Sequence, residues 1–550
     1  MKMTGAQIII ETLLEQGADT VFGYPGGQVL PLYDELYKNR DRIFHVMTSH
    51  EQGAAHAADG FARATGRVGV AFATSGPGAT NLVTGIASAY YDSSPIVCVT
   101  GNVPLPLIGR DSFQEVDIMG VTMPITKHNY MVKDVNDLAA TLREAFEIAK
   151  SGRPGPVLVD VPRDIQIAPC EFTPMPAVEK RPVRMPQEAA LQQAVRLIAE
   201  SKRPFIYAGG GVVLSDGAAE LERFAEKTDC PVGASIMGLT SLPTGHPRFL
   251  GMTGMHGGYA ANKVMQGADL IIAIGTRFSD RATGDKSKFA KDSRILHIDI
   301  DPAEIDKNIP SYHSLVGNIP DVLRALNERL SEVRHSNWWA VIEDFKKDEP
   351  VRDAEGLTPK RVMETARRCA GDDALVATDV GQHQMWTAQY CPFPFPRGLL
   401  TSGGLGAMGF GMGAAIGGCI GSGRRTVLFT GDGSFHMNLN EMATAVSEKL
   451  PLTVVVLNNS TLGMVRQWQT LFFDKRYAST THGRITNYPA LAEAFGARGY
   501  RARTVEELEN AMAEATKGDG PALVEGVIGT DEMVLPMIPP GGSVENIILN

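Results

Sequence analysis

Gly431-Asp432-Gly433-Ser434 and Asn458-Asn459 are the two stretches that decide how this sequence folds. The first follows an apolar, β-rich run at Thr426–Thr430, and the second follows a similar run at Leu452–Leu457. The distance between them along the chain suits one helix plus one strand. We therefore predict two neighbouring parallel strands, whose carboxyl ends bring Asp432 and Asn459 to the same edge of a sheet.

These two side chains suit a divalent metal. Asp432 offers an anionic oxygen and Asn459 a neutral carbonyl oxygen, and Mg²⁺ prefers oxygen ligands in an octahedral shell that phosphate and water often complete. The glycines let backbone approach a phosphate closely, and a following helix would point its first amides at it. Gly-Asp-Gly alone is a common loop; the paired asparagines after a second strand make the pattern specific.

The same alternation of strand and helix runs through the whole chain. Most of the β-rich runs end in Gly, Asp, Asn or Ser, and helix-like stretches such as Ala218–Thr228 lie between them. The predicted strands are Gly69–Thr74, Ile96–Thr100, Val157–Val161, Pro204–Ala208, Leu270–Ile274, Ile295–Ile300, Leu375–Thr378, Thr426–Thr430 and Leu452–Leu457. This pattern predicts an α/β protein with doubly wound parallel sheets. The length of 550 residues suggests that there are three such domains.

Two stretches divide the chain into these domains. One is the proline-rich stretch 168–186, and the other is the charged stretch Asn337–Lys360. They predict domains at residues 1–168, 187–335 and 360–550.

Composition limits the function classes. The formal net charge of −10 disfavours nucleic acid and anionic membranes as partners, because both require basic patches. The six cysteines lack any C-x-x-C pair, so we expect free thiols in a reducing, cytoplasmic compartment rather than disulfides or a zinc site. The N-terminus has no signal-peptide pattern. The uncharged segment Gly403–Gly423 is long enough to span a bilayer, but its many glycines favour a tightly packed internal helix.

Three further loops carry candidate site residues. Glu51 lies in Ser49–Ala55, where a strand gives way to a helix; Met408 lies in the glycine-rich segment Thr401–Gly411; and Ser75–Asn81 is a strand-to-helix loop. Each has an ordinary structural explanation as well. Glu51 suits the first turn of a surface helix, Met408 suits a core, and glycine-rich turns have many uses.

Together with the Asp432 and Asn459 segments, these loops resemble the sites of thiamine-diphosphate enzymes, whose cofactor motif begins with GDG and closes with NN. Across nearly the whole chain, the sequence is similar to the catalytic large subunits of the acetohydroxyacid synthase (acetolactate synthase) family, of the bacterial biosynthetic type. The supporting stretches are Phe22–Gly27, His50–Gly53, Phe113–Glu115, Ser151–Pro156, Asp379–Trp386 and Gly463–Trp468.

The resemblance implies a pyrimidine-binding, a central FAD-binding and a pyrophosphate- and Mg²⁺-binding domain, in that order. It implies decarboxylation of pyruvate and attack of the resulting hydroxyethyl-thiamine carbanion on a second 2-oxo acid. Pyruvate as acceptor would give 2-acetolactate, and 2-oxobutyrate would give 2-aceto-2-hydroxybutyrate, for valine, leucine and isoleucine biosynthesis. The cofactors implied are thiamine diphosphate, Mg²⁺ and FAD.

Site roles follow from the same resemblance. It implies that Glu51 hydrogen-bonds the aminopyrimidine and promotes formation of the reactive ylid, with Gln114 as a second catalytic residue. The implied metal ligands are Asp432, Asn459 and the backbone carbonyl of Thr461. The implied substrate residues are Arg281, Trp468, Phe113 and Met464. The implied thiamine-diphosphate contacts are Pro25, Glu51, Pro77, Asn81, Val380, Gly381, Gln382, His383, Gly406, Met408, Gly431, Asp432, Gly433, Ser434, Asn459, Thr461, Leu462, Gly463 and Met464.

For the central domain the resemblance implies an FAD site. The matching positions are Arg153, Gly210, Gly211, Ile236, Met237, Met255, His256, Gly275, Arg277, Arg281, Asp299 and Ile300. Arg163, Ser279, Asn318 and Gly413 depart from residues common in the family.

Other assignments compete with this one. A thiamine-dependent oxidase would pass electrons to its flavin, whereas a glyoxylate carboligase lacks the glutamate that Glu51 supplies. A non-enzymatic α/β binding protein would have little use for Asp432 and Glu51 at strand ends. The resemblance also implies a homodimer or homotetramer with the site between two chains, and a small regulatory subunit as a further partner.

Overall fold

The computed structural model describes residues 1–350 and 355–549. Residues 351–354 of the stretch Asn337–Lys360, and Asn550 at the end of the predicted third domain, lie outside the described residues. Over the described ranges the chain forms three six-stranded parallel sheets and one small antiparallel pair. Each large sheet lies within one of the three predicted domain ranges, whose boundaries remain predictions.

The N-terminal sheet has the strand order β3-β2-β4-β5-β7-β6, and β1 pairs separately with β8. The strands are β1 (Lys2–Thr4), β2 (Thr20–Gly23), β3 (Phe44–Met47), β4 (Gly69–Ala73), β5 (Ile96–Asn102), β6 (His128–Met131), β7 (Val157–Pro162) and β8 (Pro169–Glu171). The helices are α1 (Gly5–Glu15), α2 (Leu30–Lys38), α3 (Glu51–Thr65), α4 (Pro77–Asn81), α5 (Val83–Asp92), α6 (Ile118–Thr122), α7 (Leu138–Lys150) and α8 (Arg163–Ile167).

The middle sheet has the order β11-β10-β9-β12-β13-β14. Its strands are β9 (Pro204–Ala208), β10 (Val232–Ala234), β11 (Phe249–Met252), β12 (Leu270–Ile274), β13 (Arg294–Asp299) and β14 (His313–Val316). The helices of this region are α9 (Glu188–Glu200), α10 (Gly210–Leu214), α11 (Ala218–Thr228), α12 (Tyr259–Gly267), α13 (Asp280–Thr283), α14 (Ile319–Arg329) and α15 (Ser336–Lys347).

The C-terminal sheet has the order β16-β15-β17-β18-β20-β19. Its strands are β15 (Leu375–Thr378), β16 (Leu399–Leu400), β17 (Thr426–Gly431), β18 (Leu452–Asn458), β19 (Arg498–Ala502) and β20 (Ala522–Val527). The helices are α16 (Pro359–Ala370), α17 (Gln382–Tyr390), α18 (Phe410–Ser422), α19 (Asp432–Asn438), α20 (Met442–Ser447), α21 (Gly463–Phe472), α22 (Tyr488–Phe495) and α23 (Val505–Lys517).

The predicted strands are confirmed. β9, β12 and β15 begin and end at the predicted residues, and α11 matches the predicted helix Ala218–Thr228. These strands are buried along their whole length, because helices cover both faces of a doubly wound sheet. A continuous apolar run bounded by turn residues is therefore a strong signal in this fold.

The two stretches predicted as connections contain more structure than expected. Pro169–Glu171 forms β8 and pairs with β1, which ties the end of the first domain to its beginning. The charged stretch begins as helix α15, whose Trp338 and Ile342 are buried against the middle sheet. The many charges of this stretch lie on the exposed face of an amphipathic helix, so they do not mark an unstructured connection there.

Helix α18 explains the uncharged segment Gly403–Gly423. It packs against α3 of the N-terminal domain, and the two helices share one apolar core with both sheets. Glycines at the contact allow the backbones to approach closely; a methyl group at Gly413 would lie 2.7 Å from the Cβ atom of His56. This close contact favours glycine at position 413 of this chain. Among the described helices, none combines the length and apolar character that crossing a membrane requires.

Replacing Gly417 by Ala should separate α3 from α18. The added methyl group would overlap the carbonyl oxygen of Ala57 and lie 2.8 Å from the amide nitrogen of Phe61, and neither backbone atom can move alone. We expect the unfolding free energy to fall by about 2 kcal/mol, since overpacking costs about 1–3 kcal/mol and better helix propensity returns only part of that cost. Chemical denaturation would measure the change.

Gly418→Ala is the matched control. Its methyl group meets chiefly Cδ1 of Leu400, a side-chain end that can rotate away. Equal stability of the Gly417→Ala and Gly418→Ala proteins would contradict tight backbone packing as the reason for Gly417.

Candidate active site

The prediction that the GDG and Asn-Asn stretches follow two adjacent parallel strands is confirmed. β17 and β18 are adjacent and parallel, and Gly431 at the end of β17 is paired with Leu457 near the end of β18. Asp432 begins helix α19 directly after β17, and Asn459 follows β18 by one residue. Both side chains are buried at the same edge of the sheet.

Asp432 has the environment of a ligand for a cation. One carboxylate oxygen accepts the amide of Gly433 at 3.0 Å, and the Ser460 amide also faces the carboxylate. The other oxygen, Oδ2, accepts no hydrogen bond from the described residues, although Nε2 of His482 lies 3.1 Å away. Burial raises the pKa of the Asp432 carboxyl to about 6. A divalent cation at this oxygen would offset the desolvation cost.

Asn459 and Thr461 lie beside Asp432 on the loop after β18. The Oδ1 atom of Asn459 accepts the Thr461 amide at 3.3 Å, and its Nδ2 donates to Oε1 of Gln382 at 3.2 Å. The preceding Asn458 points away and donates to Glu525 at 2.7 Å. The two asparagines therefore have different surroundings, and only Asn459 faces the predicted site.

The other predicted diphosphate residues surround this group. A Cβ at Gly431 would lie 2.9 Å from the His383 ring, and Ser434 donates to the Val380 carbonyl at 3.4 Å. Further close approaches link Gly433 to Leu462, Gly463 to Gln382 and Gly406 to Val380. Gly381 precedes α17, while Met408 and Met464 are half-buried. Burial lowers the pKa of His383 to about 3, so its imidazole is neutral near pH 7.

Glu51 forms a second group in the N-terminal domain. It begins α3, is buried, and accepts a hydrogen bond from Nδ2 of Asn81 at 3.0 Å. A Cβ at Gly78, next to Pro77, would lie 3.1 Å from the same carboxylate. The backbone of Gln114 has a positive φ of 58° and lies against Gly76 in this loop.

Pro25 and Phe113 lie at the margin of this second group. Pro25 is half-buried on the loop after β2, where the nearby Gln28 amide donates to Thr74 at 3.3 Å. Phe113 is 85% exposed, so within the described chain nothing encloses its ring.

The Glu51 and Asp432 groups are separate within the chain. Among the described residues, no hydrogen bond or ion pair joins either Glu51 or Asn81 to the Asp432 group. The nearest link is Glu441, a buried carboxylate that accepts the Ser49 amide at 3.1 Å and interacts electrostatically with Glu51. Burial raises the pKa of Glu441.

With three exceptions, the residues predicted for FAD line a cavity of about 460 Å³, the middle-domain cavity, whose wall also includes residues of the N-terminal domain. Arg153, Gly210, Gly211, Ile236, Met237, Gly275, Arg277, Asp299 and Ile300 lie on its wall. Met255, His256 and Arg281 do not. The Met255 amide donates to the Arg281 carbonyl at 2.8 Å, which holds these residues on the side that faces the C-terminal domain.

Two predicted substrate residues from different domains meet on that side. The guanidinium of Arg281 lies 5.4 Å from the ring centroid of Trp468, a cation–π contact. The Arg281 side chain is 60% exposed and lies 3.7 Å from the exposed carboxylate of Asp280, an ion pair that an incoming anion could replace. Trp468 and Met464 also line an open apolar hollow of about 660 Å³. A guanidinium beside an apolar wall suits a small carboxylic acid with an alkyl group.

Several residues of these sites were missed from the sequence. Glu441, His482 and Asp92 lie far along the chain from the residues they approach, and their local sequence has no distinctive spacing. Only Glu441 had a weak signal, since it is an acidic residue at the start of the apolar run that becomes α20.

A separate group, Glu222, Glu226 and His246, has the spacing of a metal site within the described residues. However, Nδ1 of His246 accepts the Arg248 amide at 3.2 Å, which leaves the ring proton on Nε2. A protonated nitrogen is no ligand, so this group is better described as an imidazole N–H facing two carboxylates.

Sequence comparisons agree with the geometry of all three regions. Profiles described as the thiamine pyrophosphate enzyme N-terminal TPP binding domain, central domain and C-terminal TPP binding domain match residues 3–121, 191–326 and 379–526.

Full-length relatives are more specific. The chain is 45% identical to the acetolactate synthase large subunit of Corynebacterium glutamicum, with 99% of this chain and 90% of that protein covered. It is 44% identical to the acetolactate synthase of Mycobacterium bovis (99% and 91% covered) and 43% identical to the isozyme 2 large subunit of Escherichia coli (98% of both covered). The chain therefore belongs to the acetolactate synthase large-subunit family of thiamine pyrophosphate enzymes.

Proposed function

We propose that this chain forms 2-acetolactate from two molecules of pyruvate, and 2-aceto-2-hydroxybutyrate from pyruvate and 2-oxobutyrate. The names of its relatives support acetolactate synthesis. The observation in the structure that carries the proposal is the meeting of Arg281 and Trp468, because it combines a carboxylate receptor with an apolar wall beside the thiamine-binding domain.

The residues around Asp432 fit Mg²⁺ and a diphosphate. The unsatisfied Oδ2 atom of Asp432, the Asn459 side chain and the Thr461 carbonyl would hold the metal. When bound, thiamine diphosphate supplies the electron sink that accepts the electron pair released as pyruvate loses carbon dioxide. The glycines of this region leave room for a phosphate against the backbone, while His383 remains neutral beside them.

Glu51 would hold and move a proton at its carboxylate. Its burial excludes water, and Asn81 fixes one of its oxygens, so the other is left to hydrogen-bond a ring nitrogen. Arg281 would orient the carboxylate of the acceptor 2-oxo acid, and Trp468 would contact its alkyl group. Gln114 and Phe113 would border the entrance on the Glu51 side.

FAD is the ligand that we propose for the middle-domain cavity. Glycine backbone at α10 and the guanidiniums of Arg153 and Arg277 suit its diphosphate, and Asp299 suits a ribose hydroxyl. Burial raises the pKa of Asp299 to about 6. Met255, His256 and Arg281 would lie outside this ligand's main cavity and beside the substrate.

The active unit would be at least a homodimer. No hydrogen bond or ion pair joins the Glu51 and Asp432 groups among the described residues, which supports a site completed by a second copy, and exposed Phe113 is available for such a contact. Homotetramers and a small regulatory subunit are compatible with this unit. A cytoplasmic location remains our prediction, supported by the six free cysteines of the described chain.

A product assay tests the proposal. Purified protein would be incubated with pyruvate, with and without 2-oxobutyrate, in the presence and absence of thiamine diphosphate, Mg²⁺ and FAD. We expect an acetohydroxy acid in the complete mixture and none without thiamine diphosphate. Oxygen consumption with acetate as product would instead identify an oxidase, and the absence of any acetohydroxy acid would reject the assignment.

Replacing Trp468 by Leu should change the choice of acceptor. The smaller side chain loses contact with the extra methylene of 2-oxobutyrate, a contact worth about 1–3 kcal/mol. We expect the preference for 2-oxobutyrate over pyruvate to fall about 10-fold in competition assays that quantify both products. Trp339→Leu, a half-buried tryptophan on α15, is the control. An unchanged product ratio in Trp468→Leu would refute the specificity role.

A further inference from the structure

Asp92, the last residue of α5, is buried between the two proposed cofactor sites. Its carboxylate accepts the amides of Gly403 at 3.1 Å and Gly404 at 2.7 Å. Both glycines belong to the glycine-rich segment that leads to Met408. Asp92 also lies on the wall of the 460 Å³ cavity, as does Gly403. Asp92 therefore borders the cavity directly and is linked to the proposed thiamine site through the glycine-rich segment.

A buried arginine completes this anchor. Arg63 on α3 contacts Asp92 at 3.0 Å and donates to the Thr401 carbonyl at 2.8 Å. Asp59 balances its charge at 2.7 Å. Arg63 and Asp92 together therefore fix the start of the glycine-rich segment through charge-assisted hydrogen bonds, which are stronger than neutral ones.

The segment is also anchored on both sides of the two glycines. Before them, Gln384 donates to the Ser402 carbonyl at 3.0 Å. After them, the Ser402 hydroxyl accepts the Ala407 amide at 3.2 Å and Asp379 accepts the Gly409 amide at 2.7 Å. Between these anchors Gly403–Gly406 is exposed, and Asp92 holds the amides of Gly403 and Gly404.

The residues before and after Asp92 in the sequence contact two arginines of the cavity proposed for FAD. The Tyr91 carbonyl accepts a hydrogen bond from Arg277 at 2.7 Å, and the Ser93 hydroxyl accepts one from Arg153 at 2.8 Å. Both arginines line the cavity proposed for FAD. Ser93 has a positive φ of 61°, so the chain turns sharply at the end of α5, where both Asp92 and Ser93 line the cavity.

We propose that Asp92 is a positioning residue of the thiamine site, and that Tyr91, Asp92 and Ser93 couple this site to the ligand in the middle-domain cavity. This inference rests on the proposed function, because it takes thiamine diphosphate and FAD as the two ligands. An anionic ligand would draw Arg153 and Arg277 toward it, shift the end of α5, and thereby set the position of Gly403 and Gly404. Binding of FAD would thereby control binding at the thiamine site.

Calorimetric titration with thiamine diphosphate in saturating Mg²⁺ tests the coupling without an activity readout. The dissociation constant would be measured on flavin-loaded and flavin-depleted full-length protein. For wild type we expect about 10-fold tighter binding when the flavin is present, within the usual range for coupled sites. The Asp92→Asn variant cannot accept both glycine amides and also pair with Arg63. For this variant we expect the ratio of the two dissociation constants, flavin-depleted to flavin-loaded, to approach one.

Asp59→Asn is the matched control, since it removes a buried carboxylate from the same arginine without touching Gly403 or Gly404. It should lower the melting temperature as much as Asp92→Asn does and keep the 10-fold ratio, which a merely structural role for Asp92 would not predict. If Asp92→Asn does not fold, Ser93→Ala replaces it. That variant loses the contact with Arg153, and its ratio should fall at least threefold.

The possible failures are distinguishable. Wild-type protein that binds no thiamine diphosphate would overturn the proposed function itself. Wild-type protein that binds both cofactors with a ratio of one would overturn only the coupling. A full ratio retained in Asp92→Asn, or in Ser93→Ala where that variant is used, would overturn the role of these residues.

Discussion

Replacing Glu51 by Gln is expected to lower kcat for acetolactate formation about 1,000-fold, a typical contribution of a positioned acid–base group. Glutamine preserves the size of the side chain and can still accept from Asn81, but it cannot hold or release a proton. Binding of thiamine diphosphate should change little, because most proposed contacts lie around Asp432. Steady-state kinetics and calorimetry on the same preparation would separate the two effects.

Glu35→Gln is a suitable control for Glu51→Gln. Glu35 is also a buried carboxylate of the N-terminal domain, but it pairs with Lys38 on α2 at 2.8 Å and belongs to no proposed site. Its loss should leave kcat unchanged. Normal turnover in Glu51→Gln, or an equal loss in Glu35→Gln, would refute acid–base participation by Glu51.

The second large effect is expected from Asp432→Ala. This change removes the only proposed anionic protein ligand for Mg²⁺, so the half-saturating Mg²⁺ concentration for thiamine diphosphate binding should rise about 100-fold, equivalent to about 2.7 kcal/mol. Titration of the purified protein with Mg²⁺ at fixed thiamine diphosphate would measure it. Removal of the metal with a chelator should abolish activity in wild type, and added Mg²⁺ should restore it.

Asn458→Ala provides the control at this sheet edge. Asn458 is adjacent in sequence to the proposed ligand Asn459, but its side chain donates to Glu525 and accepts the Ser460 amide, so it offers no ligand to the metal. We expect its Mg²⁺ dependence to match wild type. Should Asp432→Ala bind Mg²⁺ and thiamine diphosphate normally, the metal site must lie elsewhere.

Much of the fold was predictable because its signals are local. A buried parallel strand such as β9 or β12 is an uninterrupted apolar run, and its end is fixed by the first turn residue. The same logic placed Asp432 and Asn459 together, since adjacent parallel strands share an edge. It failed for α15, where charge was interpreted as a linker although Trp338 anchors an amphipathic helix.

The candidate site was predictable only in part. Family resemblance named the residues and assigned Met255 to the flavin and Arg281 to both the flavin and the substrate, but it did not show that neither residue lines the middle-domain cavity. Arg281 lies instead over Trp468, which is a contact between two domains. Pairings of this kind depend on how whole domains pack, and no spacing along the chain encodes them.

The sequence by itself determined the elements of this protein: where strands end, which loops carry acids and glycines, and which family they match. Backbone propensity and the burial of apolar runs act over a few residues, so this information is readable along the chain. Tertiary structure alone decided that Asp92 joins the middle-domain cavity to the glycine-rich segment before Met408, and that Glu441 approaches Glu51. Helix α3 of the N-terminal domain packs closely on α18 of the C-terminal domain. Side chains that are distant in sequence become neighbours only when helices from different domains share one core in this way.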